Sequence, residues 1–152
     1  MSPSTDLIRE TLWGISNITA STLSHIAAFL GEEMLLNRVL VLMTHSNCGL
    51  KTEAIYVICN LINSPWIEPD WLRELYDKKG FAIVQPLCKA LEDKNLDADI
   101  LICTLRSLAV LLELDQSFKE TLFGFDSVRF SIESHGGFNM IEELLNHKNQ
   151  EV

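Results

Sequence analysis

Apolar residues recur along this chain at intervals of three and four, the period of helices that bury one face. The pattern predicts a first helix over about residues 5–19, with Ile8, Leu12, Ile15 and Ile18 on its apolar side. A short amphipathic stretch follows at 23–30, then a second helix from Gly31 to Met43, then a longer one over 50–62. The same order returns with 70–77, then Gly80 through Pro86-Leu87-Cys88 to Leu91, then a long helix over 98–114. A third round opens with 127–135 and Gly137 through Phe138-Asn139-Met140-Ile141 to Leu145. Gly31, Gly80 and Gly137 mark breaks before the second helix of each round. The stretches 63–70 and 115–126, rich in Asn, Ser, Pro and Asp, predict loops.

The recurring unit is short helix, helix, long helix, and no such unit can bury its apolar face alone. Stacking of units must supply the core, which is the signature of an all-α solenoid of armadillo or HEAT type; the fold expected is the right-handed armadillo α-solenoid of stacked three-helix repeats. On this reading residues 1–152 form one armadillo-repeat domain. It holds a partial repeat at 5–20, repeats at 22–63 and 66–114, and a partial repeat at 117–152. The last repeat stops where its long helix is due, so the chain reads as cut rather than capped. An apolar end left open by such a cut is expected to allow self-association.

Composition narrows the function. Hydrophobic residues make up 47% and charged residues 22%, which is globular rather than disordered. Seven glycines and four prolines are too few turn-formers for a sandwich of many short strands. The net charge of −9 repels phosphate backbones, so nucleic acid is not an expected partner and a basic one is. Cys48, Cys59, Cys88 and Cys103 form no CxxC pair and sit in apolar helical patterns, which suits buried thiols in a reducing compartment. The start Met1-Ser2-Pro3-Ser4 has neither the basic nor the apolar region of a secretory signal, and the apolar runs are too short to span a bilayer. An intracellular, soluble protein with no membrane contact is expected.

The sharpest signal lies opposite the core. In the first helix Glu10, Trp13 and Asn17 fall within roughly 60° of one another at about 100° per residue, and the apolar set points nearly the other way. In the long helix of the next repeat Glu53, Tyr56 and Asn60 repeat the spacing, while Ala54, Ile55, Ile58 and Ile62 form the core side. A single Trp at helical spacing is most often a packed residue; two copies of the whole triplet off the core favour binding. An Asn in each repeat can bond the N–H and C=O of an extended peptide without reading its sequence. Aromatic faces take the aliphatic stems of Lys and Arg, and a Glu at each slot meets the cation. The expected ligand is a basic, extended peptide.

These residues also carry a family resemblance. Glu10-Thr11-Leu12-Trp13-Gly14-Ile15-Ser16-Asn17-Ile18-Thr19-Ala20 resembles the third helix of an importin-α armadillo repeat, and Lys51-Thr52-Glu53-Ala54-Ile55-Tyr56-Val57-Ile58-Cys59-Asn60 resembles the next. Pro86-Leu87-Cys88 is similar to the second helix of the following repeat. Gly137-Phe138-Asn139-Met140-Ile141-Glu142, with Asn146-His147-Lys148-Asn149-Gln150-Glu151-Val152, is similar to the family's last armadillo repeat. The resemblance spans nearly the whole chain in order and is to the C-terminal half of importin-α (karyopherin-α).

It implies a nuclear import adaptor, moving between cytoplasm and nucleus, that binds nuclear localisation signal peptides at a minor site. The peptide-binding role falls on Glu10, Trp13, Ser16, Asn17, Glu53, Tyr56 and Asn60. By the same resemblance the nuclear export factor and nucleoporins are partners, and Glu142 and Glu143 are the candidate C-terminal partner surface. Tyr56 stands where the family has Trp, which gives a smaller stacking face. The third long helix carries Arg106 and Val110 at the ladder positions, so the groove is expected to end after two rungs. The family's major site and importin-β-binding segment have no counterpart in this sequence, which suits either a fragment or a reduced relative. The alternative reading is a scaffold that docks a folded partner through its convex or C-terminal acidic surface.

No catalytic pattern is recognisable, so an enzyme is not expected, nor a cofactor. Asp93-x-Asn95-x-Asp97-x-Asp99 resembles the start of a calcium loop but has Ala98 where Gly is required and Thr104 where Glu is required. His25, His45, His135 and His147 lie in different units, which suits helix ends better than a metal site.

Overall fold

The computed structural model describes residues 4–93, 95–119, 127–145 and 147. These residues form eight helices and no strand: α1 (Thr5–Thr19), α2 (Leu23–Gly31), α3 (Glu33–Leu42), α4 (Cys48–Ile62), α5 (Pro69–Glu92), α6 (Ala98–Lys119), α7 (Ser127–Ser134) and α8 (Gly137–Leu144). The all-α class expected from the periodicity is what the structure has. None of the described helices is long and apolar enough to cross a membrane. By its internal contacts the chain divides into two compact units, residues 1–68 and 69–152.

In the first unit α1 opens with Ser4 as its cap, whose hydroxyl accepts the Leu7 N–H at 3.3 Å. Asn47 does the same for α4, its side-chain oxygen accepting the Leu50 N–H at 3.1 Å. α1 packs along α4, α3 packs on α4, and α2 bridges α1 to α3. α4 is apolar on more than one side and is accordingly the unit's central helix, with Ala54, Ile55, Ile58 and Ile62 all buried. Each isoleucine so placed contributes about 1.5–3 kcal/mol of burial. The core side assigned to α4 is therefore correct. On α1 only part of the assignment holds: Leu12 and Ile15 are buried, Ile8 is half-buried, and Ile18 is 43% exposed. Thr19, the next residue, is fully buried, so Ile18 is turned away from the packed side rather than beyond its end.

In the second unit α5 packs against α6, α7 and α8, and α7 packs against α6 and α8. Its core holds Ile83, Leu87, Ile100, Leu108 and Ile132, all essentially without solvent exposure. The break expected at Gly80 is absent, because α5 runs unbroken from Pro69 to Glu92 with Pro86 inside it. Pro69 stands at the helix start, where its missing N–H costs nothing. Gly80 is there for space rather than for a turn: a Cβ on it would stand 2.7 Å from the Tyr76 ring, which folds back over the glycine one turn on. The loop expected from residue 115 also begins later, since α6 continues to Lys119. The segment has no glycine or proline before Gly124 to stop the helix. Residues 120–126, the rest of that predicted loop, lie outside the described residues, as does most of the 146–152 stretch.

The turn at Gly136 and Gly137 divides the work between its two glycines. Gly136 takes the left-handed conformation, φ 71°, that closes α7 and caps α8. Gly137 provides close approach: a Cβ there would lie 2.6 Å from the Ile132 side chain, 2.8 Å from Cys88 Sγ and 3.1 Å from the Ile132 carbonyl oxygen. Burial, with a smaller contribution from Glu92, pushes the Cys88 thiol up to about 11, so it stays a neutral packing group.

Candidate functional site

All seven residues expected to form the ladder lie on α1 and α4, within the first unit. Trp13 stands out first. It is 59% exposed on a helix whose neighbouring positions Leu12 and Ile15 are buried. A side chain of that size left in water earns nothing for the fold, so its position off the core is a cost that a ligand can recover.

The lower part of the site is an acidic cleft of about 490 Å³ lined by Arg9, Glu10 and Trp13 from α1 and Cys48, Gly49, Thr52 and Glu53 from α4. Glu10, Trp13 and Glu53, separated by forty residues of chain, thus come to one place. Glu53 is half-buried, and its carboxyl is raised above its ordinary value of 4.5. Burial is the main cause; the Arg9 charge pulls it down and Glu10 pushes it up. Such a carboxylate gains most from a cation brought beside it.

The upper part consists of the asparagines. Asn17 Nδ2 donates to the Trp13 carbonyl at 3.0 Å, which holds its amide against its own helix. Asn60 Nδ2 reaches across from α4 to donate to the Ser16 carbonyl of α1 at 3.2 Å. That carbonyl lies in the last turn of α1 and also accepts the Ala20 N–H at 3.1 Å and the Thr19 hydroxyl at 3.0 Å. Asn60 is thus a tie between the two helices as well as a ladder residue. A primary amide has two N–H donors and an oxygen, so one such bond leaves capacity for a peptide backbone. Tyr56 is half-buried, one turn beyond Glu53, and does not line the acidic cleft.

Ser16 sits differently from the expectation. It is 7% exposed, and its hydroxyl donates to the Trp13 carbonyl at 2.8 Å. With the hydroxyl turned inward and spent on the helix, Ser16 supports the backbone under Trp13 rather than facing a ligand. Glu142 and Glu143 are exposed on α8 in the second unit. Arg9, Cys48, Gly49 and Thr52 were not among the residues expected at the site. The signal that finds them is their place one turn before, or beside, the two glutamates. The first unit also has an apolar groove of about 650 Å³ between α1 and α3, with Leu7, Val41 and Leu35 on its walls. Among the described residues, no group of three or more histidine, cysteine, aspartate or glutamate side chains is placed to hold a metal ion.

No protein-family model matches this sequence, and no curated protein matches it either. Solved structures do match. A designed armadillo repeat protein in complex with the peptide (KR)4 aligns with 99% of this chain at a TM-score of 0.71 and 21% identity. An engineered protein aligns with 99% of the chain at a TM-score of 0.69 and 20% identity. The chain covers 55% and 53% of those two proteins, about half the length of each. The fold is therefore of armadillo repeat type.

Proposed function

We propose that this chain binds a basic peptide in extended conformation along α1 and α4, as a nuclear import adaptor domain of importin-α type. The observation that carries the reading is the exposed Trp13 standing in one cleft with Glu10 and Glu53. A lysine or arginine stem lies along the indole face while its charged end meets the two carboxylates, and Asn17 and Asn60 hold the backbone beyond. The designed armadillo protein that this chain resembles was solved with a peptide of alternating Lys and Arg, which supports the same ligand chemistry here. In this reading α1 closes one repeat, α2–α4 form a second, α5–α6 a third and α7–α8 begin a fourth. The domain binds and does not catalyse. Cargo carrying nuclear localisation signals, the nuclear export factor and nucleoporins are the proposed partners, in cytoplasm and nucleus.

The test is a titration of a fluorescent Lys/Arg-rich localisation peptide beside a peptide with scrambled charges, at low and physiological salt. Micromolar or tighter binding that weakens with salt and is lost in the Asn17→Ala, Asn60→Ala double variant is the expected result. Absence of binding even at low salt overturns the proposal.

A further inference from the structure

The acidic cleft already contains a cation. Arg9 and Glu10 are adjacent in α1, and adjacent positions on a helix do not face each other. Yet Arg9 Nη2 lies 3.7 Å from Glu10 Oε1, and Arg9 lines the same cleft as Glu10 and Glu53. Its aliphatic stem crosses toward α4 over Gly49: a Cβ on that glycine would be 3.6 Å from Arg9 Cδ. The Arg9 charge is also felt at Glu53, where it opposes the effects of burial and of Glu10. The guanidinium is therefore turned into the cleft, over a position where α4 has no side chain. It is half-exposed, with 50% of its side chain in solvent, so it is held there but not locked.

We propose that Arg9 is a tethered competitor for the acidic cleft, a resident cation that an incoming lysine or arginine must displace, and that it lowers the site's affinity for basic peptides. The inference rests on the peptide-binding reading above. The chemistry is direct. With Arg9 in place, the two carboxylates of the cleft face one positive charge before any ligand arrives. A ligand cation must either share the carboxylates with a like charge or drive the guanidinium into solvent, and both oppose binding. Arg9 then acts as a filter, since a peptide that offers only one stray cation gains little by exchanging it for Arg9. A peptide that also engages Trp13 and the asparagines gains enough to complete the exchange.

The experiment compares wild type, Arg9→Gln and Arg9→Lys in titrations with the same Lys/Arg-rich peptide. Arg9→Gln is expected to bind roughly two- to fivefold more tightly, the scale of one exposed ion pair, and Arg9→Lys to stay near wild type. A peptide that binds wild type and binds Arg9→Gln equally or more weakly overturns the competitor while leaving the peptide site standing. Failure of both proteins to bind overturns the peptide site itself, and the competitor with it. A ligand-free readout is carboxyl NMR of Glu53: loss of the Arg9 charge is expected to raise its titration further. An unmoved Glu53 means the guanidinium does not occupy the cleft and overturns the proposal.

Discussion

Both units hold an aromatic ring and a glycine at a place where helices meet, and they put them to opposite uses. In the second unit the Tyr76 ring closes over Gly80 and is 9% exposed, and Gly137 lets α8 sit against Ile132 and Cys88. The missing Cβ atoms there are filled by neighbours of the fold itself. In the first unit Trp13 stays 59% exposed, and the space above Gly49 is bordered by the Asn47 side-chain oxygen, 3.4 Å from where a Cβ would stand, and by the flexible stem of Arg9 at 3.6 Å. Close packing marks the first arrangement as structural, because every atom around it gains from the contact. An unpacked indole beside two carboxylates gains nothing until something arrives.

This contrast is broken most strongly by filling the space at one of the second unit's glycines. Gly137→Val is expected to cost about 2–3 kcal/mol of stability in denaturant unfolding, since the clash includes a backbone carbonyl that cannot swing away. Peptide affinity of the folded protein is expected to stay unchanged. Trp13→Ala should do the reverse, losing about 1–3 kcal/mol of peptide affinity while the thermal midpoint barely moves. A large fall in that midpoint would mean that Trp13 is a core residue and that the contrast is false.

Smaller effects separate the two asparagines. Asn60→Ala removes the bond from α4 to the Ser16 carbonyl and is expected to cost about 0.5–1.5 kcal/mol of stability in unfolding titrations. Asn17→Ala breaks a bond within one exposed helix and should cost less, so equal losses would deny Asn60 its bridging role.

The smallest expected effect is at Glu53. Its carboxyl is raised in the folded protein, so the folded state holds that proton more tightly than the unfolded chain does. Stability from this group falls as pH rises from the ordinary value of 4.5 through the raised one, and above that window the charged carboxylate is a net cost. Glu53→Gln is therefore expected to leave the protein slightly more stable at neutral pH, with a flatter pH dependence in thermal melts, while peptide affinity falls. Wild-type peptide binding should also weaken on acidification before an ordinary glutamate would protonate.

Helix positions were largely legible in the chain. α1, α2, α4, α7 and α8 lie within a residue or two of the periodic segments, because a three-to-four spacing of Leu and Ile is a local property. The errors have physical causes. Gly80 resembles a break and is a space-saver inside a continuous helix, which only the position of the Tyr76 ring reveals. Residues 115–119 have loop composition but nothing to stop the helix they continue. Ser16 reads as a polar neighbour of Asn17, whereas burial turns its hydroxyl onto the Trp13 carbonyl.

What the chain determined by itself was direction on each helix: periodicity alone sends Leu12 and Ile15 inward and Trp13 outward, and Ile55 and Ile58 inward on α4. Tertiary structure alone decided which residues meet. The approach of α1 to α4 brings Glu53 beside Glu10, carries the Asn60 amide to the Ser16 carbonyl, and gives the Arg9 stem the bare backbone of Gly49 to cross. Helical direction depends on neighbours within a turn or two. Contact between residues forty apart depends on how two helices slide and cross, which the packing of their buried side chains sets and no local pattern encodes.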